Sequence, residues 1–102
     1  MSSNQATNSI STHIPLLDGT NYREWAAQMC AYLQSVGLWL IVSGTTMAPT
    51  DPAELAKWTL LNSMANGAIE LRCSLNIRDL IGNTSTLTWT ALSTAFGATG
   101  VS

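Results

Sequence analysis

Large apolar side chains recur at helical spacing from Tyr22 onward, at Tyr22, Trp25, Met29, Tyr32, Leu33 and Val36, with Ala26 filling the stripe. Arg23, Glu24, Gln28 and Gln34 take the other side, so the stretch reads as an amphipathic helix. Asn21 is placed to cap it with a side-chain oxygen. Glu24, three residues on, is placed to reach back to the Asn21 amide as a capping box. Asp18 and Gly19 predict a turn into this cap, and Leu16 or Leu17 can pack back as a hydrophobic staple. Gly37 predicts a left-handed helix stop. Leu38, Trp39, Leu40, Ile41 and Val42 then follow as five apolar residues in a row, read as a buried plug.

A loop over residues 43–50, with Gly44 and Pro49, leads to a second start signal. Asp51 can cap, Pro52 suits the first helical position and Glu54 completes a second capping box. The helix is predicted from Pro52 towards Leu75, with Leu61, Met64, Ala68, Leu71 and Leu75 on one stripe and Leu55, Trp58 and Ile69 widening it. A helix so apolar around its circumference is expected to be central and packed on more than one side. Gly67 costs about 1 kcal/mol relative to alanine, whereas burying one leucine returns about 1.5 to 3 kcal/mol. One continuous or kinked element is therefore expected through it. Ile77, Leu80 and Ile81 suggest a short helical turn ended by Gly82. Ser85 or Thr86 is then placed to cap a last helix carrying Leu87, Trp89, Leu92 and Phe96, stopped by Gly97.

No period-two strand pattern and no internal repeat occurs, so the expected fold class is all-α. The expectation is a small helical bundle over residues 14–97, with a disordered tail at 1–13 and a tail or start of a linker at 98–102. Trp25, Trp39, Trp58 and Trp89, one in each element, are expected to meet in or around a common core.

Composition turns this fold into a narrower functional expectation. Charged residues are 10% of the chain, against about 25% in an ordinary soluble domain. None lies between residues 25 and 50 or after Asp79, so charge repulsion does little to keep copies apart and self-association is favoured. The uncharged run from Trp25 to Val42 approaches the length of a membrane span, but Gln28, Gln34, Ser35 and Gly37 interrupt it. A membrane segment is not expected. The first 13 residues lack the basic start and apolar segment of a secretory leader, so an intracellular location is expected. Cys30 and Cys73 are too few and too far apart in sequence for a disulfide framework or a metal pair and read as buried thiols; His13 reads as solvated.

The ten charged residues form no catalytic set. Asp18, Glu24, Asp51 and Glu54 are assigned to turns and caps, and no phosphate-binding loop, nucleophile elbow or zinc-protease motif occurs. No enzyme activity, cofactor, metal or small-molecule substrate is expected. Four basic residues at net charge −2 make no nucleic-acid footprint, and Arg72 and Arg78, flanked by Glu70 and Asp79, read as a solvated face.

The first block is also a motif. L-x-G-x-N-Y-x-x-W, present as Leu17, Gly19, Asn21, Tyr22 and Trp25, is followed by Met29, Leu33, then Gly37, Leu38 and Trp39, then Val42 and Gly44. This string closely resembles the N-terminal part of Gag polyproteins of copia-type LTR retrotransposons. Trp89, Leu92 and Phe96 form W-x-x-L-x-x-x-F where that family has a similar motif, although Thr86, Leu87, Thr88 and Thr90 replace the charged residues common there. The resemblance implies the N-terminal half of a helical capsid domain that assembles into cytoplasmic virus-like particles enclosing the element's RNA. Its direct partner would be other copies of itself, with RNA handled by a later basic or zinc-knuckle segment. The motif's tyrosine, tryptophans and leucines would be mostly core, and neutral surface around the first helix and the 43–50 loop would supply contacts. The alternative is a monomeric interaction module, a host-adapted Gag relic, accepting a peptide or helix in an apolar groove around Trp39.

Overall fold

The computed structural model describes residues 13–97. The tails expected at 1–13 and 98–102 therefore lie, except for His13, outside the described residues. In chain order the elements are α1 (Tyr22–Ser35), a single-turn helix α2 (Trp39–Val42), a long α3 (Pro52–Leu71), a 3₁₀ segment (Leu75–Leu80), α4 (Ser85–Leu92) and a π-type turn (Ser93–Gly97). Among the described residues the only extended pairing is an isolated parallel bridge between Leu17 and Cys73. The all-α architecture expected from the spacing is the architecture observed.

α1 buries Trp25, Met29 and Leu33, three positions of the predicted stripe. Tyr22 and Tyr32 are half-buried, whereas Val36 is exposed. Its start is not the predicted capping box. Asn21 occupies the cap position but makes no side-chain cap hydrogen bond. Its Oδ1 accepts from the Asp18 amide at 3.2 Å and its Nδ2 donates to the Leu16 carbonyl at 2.9 Å, so it braces the preceding turn. Glu24 instead accepts from Gln28 Nε2. The helix stop is as the sequence reads. Gly37 adopts φ +77°, its amide donates to Gln34 O, and the Leu38 amide donates to Leu33 O at 2.8 Å, which is the Schellman arrangement.

That reversal sends Leu38 back into the core, but the five-residue plug is only partly buried. Because it coils into a helical turn, Leu38, Ile41 and Val42 point inward while Leu40 faces solvent and Trp39 is half-covered. α2 lies between the other helices: it contacts α1, α3 and α4, and Thr86 Oγ1 donates to its Ile41 carbonyl at 2.8 Å.

α3 begins as predicted, with Asp51 Oδ2 accepting from the Glu54 amide at 3.0 Å and Pro52 in the first turn. The Glu54 side chain does not close the box; it pairs with exposed Lys57 at 3.5 Å. The helix runs unbroken through Gly67 and ends at Leu71 rather than Leu75. Its orientation overturns the predicted stripe. The core face is Asn62, Ala65 and Ile69, while Leu61, Met64, Leu71 and, beyond the helix, Leu75 are exposed and Ala68 is half-buried. α3 is therefore not a central helix packed on several sides.

Polar and small residues explain the reversal. Buried Asn62 Oδ1 accepts from both the amide and the hydroxyl of Ser85, at 2.8 and 3.0 Å, and Asn66 Nδ2 donates to the Gly82 carbonyl at 2.9 Å. These bonds dock α3 against the start of α4, and Ala65 between them leaves room for close approach. α4 itself is capped by Thr84, whose Oγ1 accepts from the Leu87 amide, and not by Ser85 or Thr86. Ser85 is buried in the Asn62 contact. α4 turns Thr88 and Leu92 inward and leaves Leu87 exposed.

The two arginines read as a solvated face are structural. Arg72 Nε donates to the Ile14 carbonyl at 2.9 Å. Its own carbonyl accepts from the Leu17 amide at 2.8 Å and from Trp25 Nε1 at 2.9 Å, so the segment before α1 is tied to the end of α3. Arg78 Nε donates to the Cys73 carbonyl.

Candidate functional site

The motif residues converge. Trp25, fully buried, stacks on Trp89 with ring centroids 5.7 Å apart, and Trp89 meets Trp39 edge-on at 5.3 Å. Tyr22 lies 6.2 Å from Trp25 and 6.5 Å from Phe96. A methyl group added to Gly19, which sits at φ +96°, would come within 3.4 Å of the Phe96 ring. The glycine is thus required by backbone conformation, while the Phe96 ring sits at ordinary contact distance from it. Leu17, Trp25, Met29, Leu33, Leu38, Val42 and Leu92 belong to one buried cluster, with Tyr22, Trp39, Trp89 and Phe96 packed against it. Two motif blocks more than forty residues apart in sequence form one aromatic core, and its rings are consumed in packing.

Trp58 departs from the expected meeting of four tryptophans. It is half-buried on α3, and its Nε1 donates to the Thr46 carbonyl at 3.0 Å, pinning the 43–50 loop instead of joining the core rings. Gly44, at φ +85°, shapes the start of that loop. Together these residues make an open apolar groove of about 380 Å³ lined by Ile41, Met47, Pro49, Trp58 and Leu61, with Glu54 and Lys57 at its edge. The predicted groove around Trp39 is the smaller one, about 270 Å³, lined by Gln34, Gly37, Trp39 and Leu40.

A concavity of about 500 Å³ lies over the first turn of α1 between Gly19, Thr20, Arg23, Glu24 and Phe96. Beside it the Thr20 hydroxyl and amide donate to Asp18 at 2.7 and 2.9 Å and hold that carboxyl below its usual value. Among the described residues no group of three His, Cys, Asp or Glu is placed to hold a metal ion, and no helix is long and apolar enough to cross a membrane. Cys73 is buried, and burial pushes its thiol up to about 11; Arg78 draws it down and Glu70 raises it, both more weakly. Cys30 is only half-buried, short of the expected burial, and its thiol is raised by the same desolvation. His13 is exposed, as its surroundings in sequence suggested.

The geometry defines a class: a small helical body whose aromatic motif is internal and whose apolar exterior is concentrated on α3 and the loop before it. Residues 17–43 match the model of a domain of unknown function, DUF4219, over about a quarter of the chain. No curated protein and no solved structure matches it. The matched stretch spans the turn before α1, α1 itself, its glycine stop and α2, the same residues that carry the first motif block.

Proposed function

We propose that this chain is a structural Gag capsid domain of a copia-type retrotransposon. It self-assembles into intracellular particles and meets the element's RNA only through other Gag segments. The observation that carries this reading is the mismatch between its interior and its exterior. The core is complete without Leu40, Met47, Leu60, Met64, Leu71, Leu75 and Leu87, each more than half exposed, on a surface with very few charges. Isolated exposed leucines are ordinary on monomers, but Leu60, Met64 and Leu71 share one face of α3, and apolar surface gathered on one face marks contact sites. A shell subunit uses such surface in weak contacts repeated many times, so each contact needs only a modest area. The motif resemblance supports the Gag reading, and the domain match falls on the same residues without naming a function; the charge pattern offers no support for catalysis or direct RNA binding.

Sedimentation velocity across a concentration series tests this. A reversible rise in weight-average sedimentation coefficient is expected, together with no salt-sensitive complex with RNA. Tight RNA binding that falls steeply with salt contradicts the electrostatic part of the reading. The Met47, Trp58 and Leu61 groove favours one second reading, a monomeric module that seats a partner helix or peptide. A chain that stays monomeric and binds such a peptide tightly supports that reading instead.

A further inference from the structure

The outer face of α3 carries a regular seam. Ala53, Lys57, Leu60, Met64, Gly67 and Leu71 follow one another at spacings of 4, 3, 4, 3 and 4 residues, the heptad pattern of a helix that packs along another helix. The seam points away from the body, opposite Asn62, Ala65 and Ile69. Leu60, Met64 and Leu71 are 62%, 52% and 66% exposed. A methyl group added at Gly67 would meet nothing within 4 Å, so no contact within the chain accounts for a glycine in mid-helix. The stretches 1–12 and 98–102 offer only Met1, Ile10 and Val101 as large apolar side chains, too few to line such a seam.

We infer that this seam is the contact between two copies of the chain, paired antiparallel about a two-fold axis that crosses the seam at the level of residue 62, on the face opposite the Asn62 side chain. The inference rests on the self-assembly reading above and names its surface. The sequence of the seam selects both the partner and the direction. Reversed about residue 62, it sets Leu71 over Ala53, Lys57 over Gly67 and Leu60 against Met64 of the other copy. Wide layers alternate with a close-approach layer, and the lysine stem lies across a glycine with its ammonium free to reach water. A parallel pair in register would instead stack Lys57 on Lys57 and Gly67 on Gly67, a like-charge contact beside a void. The seam is about 27 Å long and roughly 10 Å wide, so the pair buries roughly 550 Å² in all. That is about half the area at which stable specific interfaces begin, about 1,200 Å², so the contact is weak and reversible unless repeated in an assembly.

The test uses the full chain in a Cys30→Ser background, with Cys73 buried. Ser63→Cys and Ala56→Cys lie on the same flank of the seam, one near the two-fold axis and one displaced along it. A short bis-maleimide is expected to cross-link Ser63→Cys into dimers and leave Ala56→Cys monomeric, since copies of the latter stand about 18 Å apart along the axis. The Leu60→Glu, Met64→Glu double variant, altered only at exposed positions, is expected to keep its melting curve and associate about tenfold or more weakly in sedimentation equilibrium. Equal cross-linking at both positions overturns the antiparallel register. Undiminished association of the double variant overturns the seam and leaves self-assembly standing. An unmodified chain that stays monomeric to millimolar concentration overturns both.

Discussion

α1 and α3 are both amphipathic on paper, yet the chain uses them in opposite ways. α1 turns its largest side chains inward, and Trp25 is fully buried with its indole N–H satisfied by Arg72. α3 turns Asn62, Ala65 and Ile69 inward and leaves Leu60, Met64 and Leu71 in water. The difference teaches that hydrophobic count does not decide which face a helix buries. Two side-chain amides that find partners on and before α4 hold α3 in an orientation its leucines alone would not select. The exposed leucines then become a feature to explain by something outside the chain.

Substitutions can break this contrast. The largest effect is expected at the buried ring: Trp25→Ala should cost about 3 to 5 kcal/mol, read from chemical denaturation, whereas Leu60→Ala should change stability by about 0.5 kcal/mol or less. Equal costs at the two positions would remove the distinction between the inner and outer faces. Asn62→Ala leaves the Ser85 amide and hydroxyl without their acceptor in a buried site and should cost about 2 kcal/mol. A neutral result there would mean that α3 is oriented by apolar packing after all.

Cys73 gives a pH-dependent version of the same test. Its folded thiol titrates near 11 and the unfolded one near 9. Between those values the unfolded chain holds fewer protons, so stability falls as pH rises through that window, by at most about 2.7 kcal/mol in all. Below pH 9 the thiol has no effect, and Cys73→Ala should remove this part of the alkaline loss. A smaller effect of opposite sign is expected at Gly67. Gly67→Ala should raise thermal stability by about 1 kcal/mol, because a methyl group there meets nothing within the chain, while weakening self-association.

Much of the fold was legible in sequence because it depends on spacing and on special residues. The α1 stripe, the Gly37 stop, the Asp51 and Pro52 start and the all-α class each follow from local chemistry that tertiary contacts did not override. The α1 cap departs from the expected capping box because Asn21 has two competing uses, and the turn at Asp18 and Leu16 takes both of its polar atoms. The α3 face does not follow its leucines, because the deciding residues are Asn62 and Asn66. An asparagine pair at i, i+4 flanking a small residue was the available signal. Arg72, expected on a solvated face, and Trp58, expected in the common core, take other roles for a related reason: each acts through a bond to a backbone carbonyl distant in sequence, which no local pattern encodes. The aromatic motif was recognised as core, but the sequence could not separate Trp58 from the other three rings.

A dilution series of ¹H–¹⁵N correlation spectra tests most directly the division between an inner face that folds the chain and an outer face that joins copies. The amides of Lys57, Leu60, Met64, Gly67 and Leu71 are expected to shift with concentration while the Trp25 and Trp89 indole signals stay fixed. Shifts centred on the Trp25 and Trp89 rings, or spectra unchanged from micromolar to millimolar protein, would contradict it.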